Sequence, residues 1–81
     1  MIIPVQIRGA RAMLGMTQSE LAEASGISAT ALNNIERGHA DPKESTLAAI
    51  QAALEAAGVI FIDGADEGPG VRLRENPIYP W

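Results

Sequence analysis

The segment from Thr17 to Gly38 carries the start and stop signals of two short helices joined by one tight turn. Thr17 and Glu20 have the spacing of a capping box, in which each side chain accepts a hydrogen bond from the other residue's backbone amide. A helix is therefore predicted to begin there. Gly26 is predicted to end it, because glycine takes the left-handed conformation of a helix end without the cost of a Cβ.

The second helix of the pair follows almost at once. Ser28 has the position of its N-cap, and the apolar residues Leu32 and Ile35 recur at helical spacing before Gly38. Only about three or four residues separate the two helices, so they must cross steeply rather than run antiparallel, with Ile27 filling the angle. The segment predicts a helix-turn-helix.

This segment resembles the DNA-binding domain of lambdoid repressors and Cro, the XRE family. The resemblance rests on the run Q-x-E-L-A in the first helix, G-I-S in the turn and L-x-x-I-E-x-G in the second helix. The matching residues are Gln18, Glu20, Leu21, Ala22, Gly26, Ile27, Ser28, Leu32, Ile35, Glu36 and Gly38. The resemblance implies a transcriptional regulator that binds double-stranded DNA, most simply a repressor that acts as a homodimer on a two-fold operator.

The flanking sequence predicts two more helices, and so a mainly α, four-helix DNA-binding domain over residues 1–58. Pro4 suits the first position of a helix that runs to about Leu14, because its missing amide costs nothing there. A fourth helix is predicted from about Glu44 to Ala57, where apolar residues repeat at intervals of three and four. Its apolar stripe is expected to close the core over the helix-turn-helix.

The period of the sequence changes after residue 58. The β-branched and aromatic run at 59–62, a glycine-rich turn, and the alternation of apolar and basic residues at 71–74 predict a β-hairpin within residues 59–75. A lone hairpin is marginal in water and exposes an apolar face and open edges. We therefore expect the hairpins of two protomers to pair or stack and so form the dimer. The alternative is a monomer whose hairpin packs on its own helices.

The dimer interface is predicted on the hairpin, and residues 76–81 are predicted to form a tail that covers the contact between the two protomers. The interface residues are Ile60, Phe61, Ile62, Val71 and Leu73. A second functional interpretation uses the same elements. In it the protein is an antitoxin or adaptor module whose hairpin and aromatic tail bind a partner protein such as a toxin.

Composition limits the class of protein. The 81-residue chain has no cysteine and one histidine, which excludes disulfides and thiolate metal sites and favours a reducing cytoplasm. It has no secretion signal and no stretch of about 18 apolar residues, so no membrane association is expected. No nucleophile and base pattern or phosphate-binding glycine loop is present, so we expect neither catalysis nor a metal or cofactor.

The net charge of −4 predicts weak non-specific binding to nucleic acid. Up to Glu44 the chain has four basic and five acidic side chains, and the remainder has two basic and five acidic. Much of the acidity therefore lies in the C-terminal part.

The resemblance also implies which side chains meet DNA. In the family the second helix of the motif lies in the major groove and reads base edges, and phosphates are bound at helix ends and in the following loop. The implied base-reading residues are Ser28, Ala29, Thr30, Asn33 and Asn34, and the implied phosphate-binding residues are Thr17, Gln18, Arg37, His39 and Lys43. The alternatives are that Ser28 only caps its helix, that Asn33 only faces solvent and that His39 is a solvated loop residue.

Arg11 has a structural role by the same resemblance. Relatives pair an arginine at this position with the glutamate of the I-E-x-G run, which is Glu36 in this sequence. An ion pair between the first and third helices is therefore expected. Arg8, one turn earlier, is expected to be solvated.

Overall fold

The computed structural model describes residues 1–74, which form four helices and one two-stranded antiparallel sheet. The helices are α1 (Pro4–Leu14), α2 (Gln18–Ser25), α3 (Ala29–Glu36) and α4 (Glu44–Ala56). The strands β1 (Val59–Ile62) and β2 (Gly70–Leu73) form a hairpin. The predicted fold class, a mainly α repressor-like domain with a C-terminal hairpin, is confirmed. Glu75 and the tail expected at 76–81 lie outside the described residues.

The predicted caps set the start of α2 and α3. The Thr17 Oγ1 accepts from the Glu20 amide at 3.0 Å, and the Thr17 amide donates to Glu20 Oε1 at 2.9 Å. The hydrogen bond from the Thr17 amide to the Glu20 carboxylate, with a smaller contribution from the Thr17 side chain, lowers the pKa of Glu20. The Ser28 Oγ accepts from the Ala31 amide at 3.0 Å. Gly26 ends α2 with a φ of 73°, as its position in the motif requires.

The core lies where the helix-turn-helix meets α1, α4 and the start of the hairpin. Its fully buried apolar side chains come from every one of these elements: Ile7, Leu21, Leu32, Ile50, Leu54 and Val59. Burying each such side chain contributes about 1.5–3 kcal/mol, so this shared core determines how α3 is held. None of the helices within residues 1–74 has both the length and the apolar character needed to cross a bilayer.

The hairpin packs on the helices of its own chain. Val59, Phe61, Val71 and Leu73 contact the core from the inner face, with β2 beside α1 and β1 beside α4. The expectation that the hairpin leaves its apolar face exposed is therefore wrong for this face. The two elements are close at Gly9, where an added Cβ would lie 3.5 Å from Val71 Cγ2, at ordinary van der Waals contact.

The outer face of the hairpin has a different composition. Ile60 is half-buried beside the exposed Arg72, and Ile62 is 39% exposed beside Gly70. Three of the five residues predicted for the dimer interface, Phe61, Val71 and Leu73, thus place their side chains against their own core. Only Ile60 and Ile62 turn theirs away from it.

Gln6, which sequence reasoning did not single out, joins the start of α1 to the hairpin. Its side chain is buried, and its Oε1 accepts from the Ile3 amide at 2.9 Å. Its Nε2 donates to the carbonyl oxygens of Ile62 at 3.3 Å and Gly70 at 3.1 Å. One amide therefore serves as both a helix cap and a clamp on the end of the sheet.

Replacing Gln6 with alanine is expected to lower the free energy of unfolding by about 1–3 kcal/mol, because buried polar groups lose their partners. Amide exchange should accelerate first in β1 and β2. Gln51→Ala is the matched control, since within residues 1–74 the Gln51 side chain bonds only to Glu55 one turn further along α4, and such a pair is worth about 0.2–0.5 kcal/mol. Equal losses in the two variants, measured by thermal unfolding, would contradict the role of Gln6.

Candidate nucleic-acid interface

Helix α3 presents one polar face outward and buries the other. Ala29, Thr30 and Asn34 are exposed and Asn33 is half-buried. Leu32, Ile35 and Glu36 are buried on the opposite side. This division follows from helical periodicity, which separates the apolar positions from the predicted base-reading positions. The outward face is uncharged and has small side chains, so another molecule can approach the backbone of α3 closely.

An ion pair holds the inner side of α3. Arg11 Nε donates to Glu36 Oε2 at 2.7 Å and Arg11 Nη2 donates to Glu36 Oε1 at 2.9 Å, while Nη1 donates to the Met16 carbonyl at 2.9 Å. The expected pair between α1 and α3 is thus present, with the Glu36 side chain 2% exposed. The guanidinium also fixes the segment that leads into α2.

Two opposing effects act on the ionisation of Glu36. Burial alone would raise the pKa of this carboxyl group. The hydrogen bonds from Arg11 and Gln18, together with the charges of Arg11 and Arg8, outweigh burial and lower that pKa. The hydrogen bond to Glu36 in turn raises the pKa of Arg11 in spite of its own desolvation. Glu36 is therefore a buried carboxylate held in its charged form.

Arg8 also contacts Glu36, although it was expected to be solvated. Its Nη1 donates to the Glu36 carbonyl oxygen, while the rest of the side chain is exposed. The last carbonyls of a helix have no intrahelical partner and form the negative end of its dipole, so a cation is favoured there. The two arginines of α1 together fix the C-terminal end of α3.

Gln18 connects the start of α2 to α3. Its Nε2 donates to Glu36 Oε1 at 3.1 Å and to Asn33 Oδ1 at 3.2 Å. The alternative in which Asn33 only faces solvent is therefore wrong. No local signal pointed to this contact, because the two residues are 15 positions apart and meet only through the docking of the two helices.

The start of α2 has free backbone donors. In residues 1–74 the amides of Gln18 and Ser19 have no hydrogen-bond partner, as expected for the first two positions of a helix. The Thr17 hydroxyl and amide are both used in the capping box. The backbone of this turn thus presents two free N–H donors beside α3, while the side chains of Thr17 and Gln18 have internal partners.

The loop between α3 and α4 contains the remaining predicted phosphate ligands. Arg37, His39 and Lys43 are exposed, and so are Asp41 and Glu44. Opposite charges alternate along this loop, so its positive potential is small. The side chains that could neutralise a phosphate are present, but they compete with two neighbouring carboxylates.

Residues 7–56 match the sequence model of the helix-turn-helix family, and this range contains most of α1 and all of α2, α3 and α4. The chain belongs to this family. The match covers the motif, the Arg11 and Glu36 pair and the polar face of α3, and confirms the resemblance to XRE-type proteins. The hairpin lies outside the matched range of this helix-turn-helix protein.

Two relatives are regulators by name. The transcriptional regulator ClgR of Mycobacterium tuberculosis is 36% identical over 61 residues, covering 74% of this chain and 54% of ClgR. ClgR from Corynebacterium glutamicum, the clp gene regulator, has a crystal structure that superposes with a TM-score of 0.62 at 38% identity, covering 64% of this chain and 55% of that one. This helix-turn-helix chain spans about half the length of the ClgR proteins.

A third relative is a DNA-binding domain by description. The solution structure of the DNA-binding domain of the P22 C2 repressor superposes with a TM-score of 0.62 at 29% identity. The match covers 68% of this chain and 72% of that domain. The similarity therefore extends over most of a DNA-binding unit.

Proposed function

We propose that this protein is a sequence-specific transcriptional regulator that binds double-stranded DNA in the cytoplasm, acting as a dimeric repressor. The observation that carries the proposal is the polar outward face of α3, which is held from behind by Arg11, Arg8 and Gln18 through Glu36. A helix that is held by contacts on one side and exposed on the other is suited to insertion into the major groove. The names of the ClgR proteins and the P22 C2 repressor support the same function.

In this proposal α3 reads bases and the flanking backbone binds phosphates. Ala29 and Thr30 make apolar contacts with thymine methyl groups, and Asn33 and Asn34 supply amides for purine edges. Ser28, whose hydroxyl already caps α3, adds at most its remaining lone pair and hydrogen. The amides of Gln18 and Ser19 bind one phosphate, and Arg37, His39 and Lys43 lie along the backbone on the other side.

We assign residues 1–58 to DNA binding and residues 59–75 to dimerisation. The Arg74 amide donates a hydrogen bond to the Gly58 carbonyl at 2.8 Å. Hydrogen-bonded and non-hydrogen-bonded pairs alternate along an antiparallel pair of strands, so Ile60 and Arg72 form the next hydrogen-bonded pair. The main-chain groups of Phe61 then point out of the β1 edge, and those of Val71 and Leu73 out of the β2 edge. The proposed interface thus uses the side chains of Ile60 and Ile62 and the backbones of the other three residues.

Binding to genomic fragments at several salt concentrations tests the proposal. A dimer with about three neutralised phosphates per protomer should show a log–log salt slope near −5. Arg37→Ala should reduce that slope by about two, which is one contact per protomer. Arg74→Ala is the charge-matched control and should leave the slope unchanged, because Arg74 bonds to the Glu55 carbonyl at the far end of the hairpin. Absence of binding at low salt would overturn the proposal.

A further inference from the structure

We propose that Gln18 determines sequence specificity by orienting the carboxamide of Asn33, rather than by binding a phosphate through its side chain. This inference rests on the proposed DNA-binding function. It starts from one shared nitrogen, because Gln18 Nε2 is within hydrogen-bond distance of both Glu36 Oε1 and Asn33 Oδ1. Gln18 thus links the buried ion pair to the outward face of α3.

The chemistry of Glu36 fixes the orientation of both amides. A carboxylate only accepts hydrogen bonds, so the Gln18 atom beside Glu36 must be the nitrogen. That NH₂ group has two hydrogens, and the second points at Asn33. The facing Asn33 atom must therefore be its oxygen, although the two ends of an amide are otherwise hard to distinguish. The ionised state of Glu36 is thus transmitted to Asn33 as a defined amide orientation.

Both N–H groups of Gln18 are used in this arrangement. The atom left over is Oε1, an acceptor, which a phosphate oxygen repels. A phosphate at the start of α2 must instead be bound by the backbone amides of Gln18 and Ser19. The side chain of Gln18 is then free to act only on α3.

Asn33 consequently meets DNA as a hydrogen-bond donor. Its Nδ2 is accessible and has no partner within residues 1–74, whereas its Oδ1 already accepts from Gln18. Guanine presents two acceptors, O6 and N7, in the major groove, and no other base presents that pair. The geometry therefore favours guanine at the base pair that faces Asn33. An unrestrained asparagine prefers adenine, because it accepts from N6 while it donates to N7.

Selection from a randomised DNA library by four proteins tests the inference: wild type, Gln18→Ala, Asn33→Ala and the double variant. Wild type should select guanine at one position in each half-site, with a discrimination of about tenfold. Gln18→Ala should lose the guanine preference or shift it toward adenine. The double variant should match Asn33→Ala at that position, because Gln18 has nothing left to orient.

Two controls separate positioning from a general loss of binding. Asn34→Ala removes a neighbouring amide that is exposed and has no partner in the described chain, so its effect should add to that of Gln18→Ala. Glu23→Gln changes an exposed side chain of α2 that has no role in the proposed interface, and should leave the selected sequence unchanged. A Gln18→Ala protein that loses affinity equally for all sequences would show a phosphate ligand and overturn the inference.

A measurement without DNA checks the contact itself. The side-chain NH₂ resonances of Gln18 should shift in Asn33→Ala but not in Asn34→Ala, as recorded by ¹⁵N correlation spectra of the folded proteins. Unchanged resonances would also overturn the inference. If wild type selects no sequence at all, the proposed function fails and this inference with it. If Gln18→Ala selects the wild-type site, only the inference fails.

Discussion

Replacing Arg11 with alanine is expected to lower the free energy of unfolding by about 3–5 kcal/mol, because the change leaves Glu36 buried without its cation. Among the described residues, Arg11 supplies two of the three side-chain hydrogen bonds to the Glu36 carboxylate, and Glu36 is only 1% exposed. For a domain of this size each kcal/mol shifts the melting temperature by about 4–8 °C. Circular dichroism should therefore show a melting temperature lower by about 12 °C or more.

The same variant should respond to pH in the opposite direction to wild type. In wild type the pKa of Glu36 is lowered, so the stability from this group is fully present above the unfolded pKa, about 4.3, and is lost as pH falls through the folded value. Without Arg11, burial dominates and raises the pKa of Glu36 above its unfolded value. The variant then loses stability as pH rises. The difference in the free energy of unfolding between wild type and the variant should therefore shrink as the pH is lowered to about 4.

Two further variants show whether the ion pair is responsible. Arg37→Ala removes an exposed arginine and should change stability by less than about 0.5 kcal/mol. The double variant Arg11→Met with Glu36→Leu replaces both partners with apolar side chains and should recover much of the loss, since the buried charge is gone. A stability gap between Arg11→Ala and wild type that does not vary with pH would contradict the role assigned to Glu36.

Much of the helical domain could be predicted from local signals. The capping box at Thr17, the cap at Ser28 and the glycine at position 26 act within a few residues of themselves, so the sequence contains all that determines them. The predicted end of α4 differs from the observed end by one residue. The Arg11 and Glu36 pair was expected only because of the family resemblance. Nothing in the spacing of these two residues indicates it.

The contacts that could not be predicted all join distant elements. In the sequence Gln6 is simply a polar residue near the start of a helix. Its hydrogen bonds to the hairpin exist only because the hairpin packs over α1. Likewise Gln18 has the family's phosphate-binding position, yet the docking of α3 turns its nitrogen inward. Hydrophobic alternation showed that β1 is apolar on both faces, but it could not show which face the chain's own helices cover.

The outer face of the hairpin is the surface on which dimerisation can act. The inner side chains are already packed on the helices, so in the proposed dimer a partner protomer would meet Ile60, Ile62 and the unpaired strand edges. Ile62 is 39% exposed next to Gly70, which leaves its side chain with little cover from β2. A charge at this site would be tolerated in a monomer, because it faces solvent, but would be buried between two protomers at a cost of several kcal/mol.

Ile62→Glu is therefore expected to convert the dimer to a monomer and to weaken binding to a two-fold operator by about a hundredfold or more, because two linked sites bind by avidity. Its melting temperature at low protein concentration should stay near that of wild type. Ala65→Glu, in the exposed turn of the hairpin, adds the same charge and should remain dimeric. Light scattering after size exclusion measures the mass. If Ile62→Glu elutes as a dimer, the interface lies elsewhere. If the wild-type protein is a monomer, the proposed dimer is wrong.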